Sequence, residues 1–507
     1  MNNNNKKLAR NSLFLYLRMF FVLIITLYTS RVILSILGVE DYGIYTVVAG
    51  FVSFFGFLTS TLSSSMQRFY NYEGTQRGFQ GVQDVYNSGF FIHLLLVFFC
   101  LIVMETGGVW YVNNVMNVPV EKLSSARFLL QTCTFSLLIL ILQIPYIGII
   151  LAKERMDFYA LVCIMDVILQ LLIVIILPYL TFDKLSIYGI MLASVSFVRF
   201  AAFFIYAYFS FDEIRLQRGK NKKLLYSILA FSGWNLLGTF VYMLRDQGVN
   251  MLLNVFFGPL INAARGISFQ IKGALVSFSS NITTAFRPQV VNSYAAEDFI
   301  RTKNLFFIES KLTFALIILL AFPLMFNIDS ILSFWLGENV PKYTNVFSIL
   351  VLIDLFIGIF NQPSNQVVWA TGKLRNYQIA NSIVNFFLLP VCFVVLKLGY
   401  SAISSFILTI IFSIINQVVC IIFMNKLFRV GLKNYLFQVI LPSLESALLL
   451  FILLFTIDSF LPNSFGFIVI LCLVELLLSI PIFYLLLLNK SEKIFVVAIF
   501  KKYVLKK

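Results

Sequence analysis

Apolar runs of about 20 or more residues follow one another along this chain, with short polar segments between them. Each run is long enough to cross roughly 30 Å of hydrocarbon as a helix. Transmembrane β-strands would instead alternate apolar and polar residues in segments of about ten, and this alternation is missing. The pattern therefore predicts an all-α polytopic membrane protein with about 14 transmembrane helices.

The longest polar break, at residues 213–223, separates two sets of six predicted helices. We expect it to be a cytoplasmic linker between an N-terminal six-helix lobe at 1–212 and a C-terminal six-helix lobe at 224–428. Two extra transmembrane helices follow at 429–489. A basic amphipathic cytoplasmic tail at 490–507 is expected to lie in the plane of the lipid headgroups.

Three features recur after about 220 residues, which indicates an internal repeat. The pairs are Gly38 with Gly258, Arg68 with Arg287, and Pro145 with Pro363. Because each half contains an even number of helices, the two lobes would keep the same orientation, as a parallel repeat. Chance recurrence of glycine in turns and proline in helices is the alternative.

Lysine and arginine are concentrated in every second loop and in the C-terminal tail. If both termini are cytoplasmic, only four lysines lie in outside segments, namely Lys122, Lys184, Lys342 and Lys397. This asymmetry is the positive-inside bias of a membrane protein. The net charge of +15 is therefore explained by membrane orientation, and we expect no nucleic-acid partner.

The sequence contains no constellation typical of an enzyme. Walker motifs, histidine pairs and C-x-x-C pairs are absent, and the outside segments are too short for a folded catalytic domain. We therefore expect a protein that is not an enzyme and needs neither a cofactor nor a metal. A membrane polysaccharide polymerase or glycosyltransferase is the less favoured alternative.

Ionisable residues inside the predicted helices are the candidates for function, because a charge at mid-bilayer costs at least about 2.5–3.5 kcal/mol. In the helix predicted at 259–286, Arg265, Ser268 and Lys272 fall on one face at 100° per residue. Cations on this helix and its neighbours favour an anionic substrate such as a diphosphate. The predicted substrate-binding residues are Arg31, Arg245, Arg265, Lys272, Ser268 and Asn250, and the candidates for binding a coupling ion are Asp166 and Asp246.

A structural role is the competing interpretation of the same cations. Arg265 and Lys272 would then pair with carboxylates such as Asp246 or Asp354 and hold helices together. We favour substrate contact for the group, because cations outnumber carboxylates on the most polar helices.

The segment from Arg31 to Tyr45, with Gly38-Val39-Glu40-Asp41-Tyr42-Gly43 at its centre, and the end of the second helix at Gln67-Arg68-Phe69-Tyr70 resemble known transporters. With the arrangement of six, six and two helices, they are similar to the polysaccharide flippases of the multidrug/oligosaccharidyl-lipid/polysaccharide exporter superfamily, the Wzx-like O-antigen and capsule transporters. In many members the first arginine lies closer to the glycine than Arg31 does here.

The resemblance implies two lobes with alternating access in the bacterial inner (cytoplasmic) membrane. The substrate would be an undecaprenyl-diphosphate-linked oligosaccharide for O-antigen, capsule or exopolysaccharide, moved by an H⁺ or Na⁺ gradient. Membrane lipids surround such a protein, and polysaccharide polymerase and chain-length proteins are possible partners. A multidrug exporter or a peptidoglycan-precursor flippase of the same superfamily is the alternative.

Overall fold

The computed structural model describes residues 3–53, 55–216, 222–371, 374–428, 431–458, 465–489 and 492–493. Regular structure in these ranges is helical. Its α-helices are α1 (Asn3–Ser53), α2 (Gly56–Val103), α3 (Val109–Asn114), α4 (Leu123–Leu142), α5 (Ile144–Ala152), α6 (Met156–Ile176), α7 (Lys184–Ser210), α8 (Lys222–Phe257), α9 (Pro259–Ala295), α10 (Phe299–Phe326), α11 (Ile328–Leu336), α12 (Thr344–Gly358), α13 (Asn361–Thr371), α14 (Leu374–Lys397), α15 (Ile403–Phe428), α16 (Leu432–Tyr435), α17 (Leu441–Asp458) and α18 (Phe465–Ile482). Apart from 492–493, the predicted tail at 490–507 lies outside the described residues, as do 217–221 of the predicted linker.

Within the described ranges, 11 helical segments are long and apolar enough to cross a membrane. Large apolar side chains lie on their outer surfaces, as the 56% exposure of Phe98 and the 68% exposure of Leu477 illustrate. A soluble protein would bury such side chains, whereas lipid accepts them. These features confirm the prediction of an all-α, multi-pass membrane protein.

The described residues form two compact units by their internal contacts. Unit 1 holds the residues up to Gly266 together with Leu389–Ala402, and unit 2 holds the rest. Helix α9 begins in unit 1 and continues in unit 2. The lobe boundaries expected at residues 212 and 224 stay a prediction.

Helix breaks occur at two of the three features that recur along the sequence. Gly38 (φ 78°) interrupts α1 and Gly258 (φ 79°) separates α8 from α9. Both have the left-handed backbone that glycine adopts without a steric penalty. Pro145 lies in the first turn of α5, just after the break that ends α4, and Pro363 lies in the first turn of α13. Proline is tolerated there because the first-turn N–H groups have no partner within the helix.

Two ion pairs connect helix ends within unit 1. Lys122 donates at 2.8 Å to Asp41, which lies in α1 three residues after Gly38. Lys153, just after α5, donates to Glu213 at 2.8 Å. Partial burial raises the pKa of Glu213. The hydrogen bond from Lys153, a backbone hydrogen bond and the charge of Lys153 together outweigh burial and leave the pKa below its usual value. These pairs tie together segments that are distant in sequence.

Glycines allow the second part of α1 to approach the hairpin of α8 and α9 within unit 1. A Cβ atom on Gly43 would overlap the carbonyl oxygen of Pro259. One on Gly50 would meet the amide side chains of Gln247 and Asn250. This close approach positions the polar residues described next.

Candidate functional site

A buried ion pair joins α8 to α9 in unit 1. Arg265 donates from Nη2 to Asp246 Oδ1 at 3.0 Å and to the carbonyl oxygen of Asp246 at 2.9 Å. The side chain of Arg265 is 6% exposed, whereas that of Asp246 is 27% exposed. Solvent therefore reaches Asp246. The buried charge of Arg265, in contrast, is compensated mainly by its pairing with Asp246.

An amide network continues from this pair along the hairpin. Asn262 Nδ2 donates to the carbonyl oxygen of Asn250 at 2.7 Å and to its Oδ1 at 2.9 Å, and Asn250 Nδ2 donates to the carbonyl oxygen of Thr46 at 3.3 Å. One turn further, Asn254 Oδ1 accepts from the backbone N–H of Asn117 at 2.9 Å. Sequence reasoning found Asn250 but missed Asn254 and Asn262, although Asn254 lies one turn after Asn250 on α8.

Lys272 lies at the centre of a second network, which is within unit 2. Its Nζ donates to Asp354 Oδ2 at 2.6 Å, and Ser413 Oγ donates to Asp354 Oδ1 at 2.5 Å. The side chain of Lys272 is 19% exposed and that of Asp354 is 9% exposed. Here the cation is the more exposed partner, and the network connects α9, α12 and α15.

Ser268 is completely buried. Its hydroxyl donates to the carbonyl oxygen of Thr344 at 3.3 Å and accepts from Ser348 at 3.1 Å. Both bonds connect α9 to the start of α12. In this structure the Ser268 hydroxyl is therefore engaged in helix packing.

The remaining predicted residues lie in three places within unit 1. Arg31 is on an exposed part of α1, about two helical turns before Gly38. Arg245 is 8% exposed and adjoins Asp246 on α8. Asp166 of α6 accepts from Arg199 of α7 at 3.2 Å.

The structure thus gives both candidates for ion binding, Asp166 and Asp246, a basic partner. It also gives Arg265 and Lys272 the acidic partners that the competing structural interpretation expected. Contact of these residues with substrate or with a coupling ion stays a prediction.

Sequence reasoning overlooked Glu309, which is completely buried. The apolar run that predicts this helix begins at residue 304, only five residues before Glu309. In the structure α10 begins at Phe299, and Glu309 therefore lies nearly three turns inside the helix.

We compared the chain with known proteins. No protein-family model matches it. The uncharacterized membrane protein EpsK of Bacillus subtilis (strain 168) is 21% identical over 335 residues, which are 65% of this chain and 64% of EpsK. The match therefore spans less than two thirds of that relative's length.

Solved structures match over more of the chain. An inward-facing multidrug resistance MATE transporter of the MOP superfamily superposes with a TM-score of 0.67 at 12% identity, covering 81% of this chain and 96% of that one. The lipid II flippase MurJ, in an inward closed conformation, superposes with a TM-score of 0.68 at 16% identity, covering 97% of this chain and 100% of the flippase chain. A MOP superfamily transporter from Pyrococcus furiosus superposes with a TM-score of 0.57 at 13% identity, covering 83% of this chain and 96% of that transporter. These neighbours are transporters and a flippase rather than enzymes, and the chain has the fold of the MOP-superfamily transporters.

Proposed function

We propose that this protein is a flippase for undecaprenyl-diphosphate-linked oligosaccharide repeat units of O-antigen, capsule or exopolysaccharide. It would move them across the bacterial cytoplasmic membrane by alternating access, driven by an ion gradient. The observation that carries the proposal is the match to a lipid II flippase over 97% of this chain. The match to the MATE transporter covers a smaller share, 81%.

The ion pairs are compatible with binding of an anionic substrate, because the substrate could replace the carboxylate as the partner of the cation. A diphosphate offers Arg265 the same bidentate acceptor geometry as a carboxylate, and with more charge. Asp246 can leave Arg265 at little cost, because its side chain is already partly exposed. We propose that Asp246 occupies Arg265 until the diphosphate replaces it.

Lys272 is the second cation to which we assign diphosphate contact, because it is more exposed than its partner Asp354. Asn250 and Ser268 then act as positioning residues. Their hydrogen bonds fix α8 and α9 to neighbouring segments of their own units.

A multidrug exporter is the second candidate function. The MATE transporter superposes almost as well as the flippase, with TM-scores of 0.67 and 0.68. An exporter would change resistance to cationic drugs and would leave surface polysaccharide unchanged.

A deletion strain tests the proposal. We expect it to lose surface polysaccharide and to accumulate lipid-linked repeat units on the cytoplasmic leaflet. Wild-type protein and the Arg77→Ala variant should restore the polysaccharide, since Arg77 is exposed and pairs with Glu73 and Asp84 and we assign it no substrate contact. Arg265→Ala at equal membrane level should not restore it. Normal surface polysaccharide in the deletion strain, together with altered drug resistance, would favour the exporter. Repeat units that are flipped but not polymerised would favour a polymerase.

A further inference from the structure

Glu309 of α10 is a buried carboxyl group in the interior of unit 2, close to the hydroxyl of Thr283. It is completely buried, and neither of its carboxyl oxygens has a hydrogen-bond partner within the described part of the chain. Burying a charge in this way is strongly unfavourable. The cost disappears when the carboxyl group carries a proton.

A polar surface lies on one side of this carboxyl group. The hydroxyl of Thr283 on α9 is next to it but donates to Gln362 Oε1 of α13 at 3.2 Å. Gln366, one turn along α13, donates to the carbonyl oxygen of Thr283. Arg287, one turn beyond Thr283, acts on Glu309 through its charge. Ionised Glu309 would therefore have a hydroxyl and a guanidinium nearby.

Other ionisable groups lie on the described parts of α10 and of the helices that pack against it. Lys311 lies about 200° around α10 from Glu309 and donates to Glu492 at 2.8 Å. Three of the remaining groups are exposed, namely Arg301, Lys433 and Glu445. Lys303 lies over the Phe307 ring, Asp329 accepts from Asn345, and Asp354 pairs with Lys272. The last two groups, Tyr435 and Glu475, are buried.

A small cavity lies one turn away from Glu309. It measures about 10 Å³, and its mainly apolar lining includes Phe306 of α10, Ser364, Asn425 and Tyr435. A cavity of roughly this size holds at most one water molecule.

We propose that Glu309 is the residue that binds and releases the proton that drives transport. The inference rests on the proposed function. In the binding step a proton adds to one carboxylate oxygen of Glu309 and gives a neutral carboxylic acid. In the release step the same O–H bond breaks, the proton passes to a water molecule, and the carboxylate is left close to Thr283 and Arg287. No bond to the substrate is made or broken.

Glu475 of α18 provides a matched control. It is also completely buried, and its carboxyl oxygens also lack a hydrogen-bond partner among the described residues. Within the described ranges, no neighbouring charge or hydroxyl acts on Glu475 as Thr283 and Arg287 act on Glu309. Glu475→Gln therefore removes a buried carboxyl group without removing the proposed proton path.

The transport test uses the full chain in vesicles with a fluorescent undecaprenyl-diphosphate oligosaccharide, with and without a proton gradient. We expect the gradient to accelerate movement of the lipid by wild type and by Glu475→Gln. Glu309→Gln, which keeps the size and polarity of the side chain, should move the lipid at the rate seen without a gradient. Full acceleration in Glu309→Gln would overturn the proposal.

Infrared difference spectra of the same samples test proton binding apart from transport. A carbonyl band of protonated Glu309 should titrate with pH in wild type and in Glu475→Gln. This band should be missing in Glu309→Gln, in which the remaining carboxylic-acid band is the one that Glu475→Gln loses. If wild type moves no lipid but shows the band, the proposed substrate is wrong while Glu309 still binds a proton. If the lipid moves but no band is assignable to Glu309, the proton-site inference is wrong.

Discussion

At the scale of single residues, the two ion pairs of the candidate site have opposite patterns of exposure. In the first pair the cation, Arg265, is the buried partner, and in the second the acid, Asp354, is the more buried one. Removing one member of a buried pair costs roughly 3–5 kcal/mol because the other charge stays buried without a partner. The cost should therefore depend on which charge is left behind.

For the first pair we expect Asp246→Asn to destabilise the protein more than Arg265→Gln. The first change leaves the charge of a buried guanidinium uncompensated, which should lower stability by up to roughly 3–5 kcal/mol. The second change leaves an acid that already reaches solvent, so its loss of stability should be smaller. Thermal unfolding of the purified variants in detergent measures the order. A larger loss for Arg265→Gln would contradict the role of exposure.

For the second pair we expect the reverse order, with Lys272→Gln more destabilising than Asp354→Asn. Lys272 can be hydrated when it loses its partner, whereas Asp354 would stay buried with its bond from Ser413 but without the charge of Lys272. The same unfolding measurement applies, and the double variant Lys272→Gln/Asp354→Asn is the control. It should lose less stability than the two single changes added together.

The sequence was sufficient to identify Arg265 and Lys272 as interior cations, because charges are rare within apolar runs. It did not specify whether each faces solvent or a carboxylate, since Asp246 and Asp354 lie 19 and 82 residues away from them. Glu309 was missed for a different reason, because its importance depends on the start of α10 and helix ends are poorly determined by pattern.

At the scale of helices, close packing of α1 against the hairpin of α8 and α9 depends on glycine. Gly43 and Gly50 bring the α1 backbone next to Pro259 and Asn250. The pattern of apolar runs predicted these helices and the turn at Gly38, because length and composition are local properties. It did not predict which helices touch, because that depends on side chains distant in sequence.

We expect Gly43→Ala to lower both thermal stability and membrane level. The added Cβ atom would meet backbone atoms of Pro259, and backbone cannot yield as a flexible side chain can. Gly273→Ala in α9 is the matched control, since a Cβ atom there meets nothing within 4 Å. It should be neutral or stabilising by about 1 kcal/mol, because alanine favours helix. Equal losses in both variants would exclude the steric explanation.

At the scale of the whole molecule, the segment that follows α18 contributes to the core of unit 2 through Glu492. Lys311 of α10 has a side chain 2% exposed and pairs with Glu492, which follows α18. Glu492 also accepts from the backbone N–H of Asn489 at 2.8 Å. Composition predicted the two helices beyond residue 429, but it gave no sign that a residue beyond them would neutralise a buried lysine.

We therefore expect a chain that ends after Phe428 to accumulate poorly in the membrane. The truncation removes α17 and α18 from α10 and leaves Lys311 as a buried charge without a partner. Quantitative blotting of membranes measures the level, and Lys311→Met in the shortened chain should raise it. If the substitution has no effect on the shortened chain but destabilises the full chain, packing of the two helices rather than the charge accounts for the loss.

The contact between Gly43 and Pro259 has a consequence for how this sequence can evolve. The two residues belong to the corresponding turns at Gly38 and Gly258, which would be copies of each other after a gene duplication. Once the turns packed together, a larger residue at position 43 became acceptable only with a compensating change around position 259. Homologues should therefore vary at these two positions in a correlated manner, and this co-variation would record the duplication after other similarity between the halves has been lost.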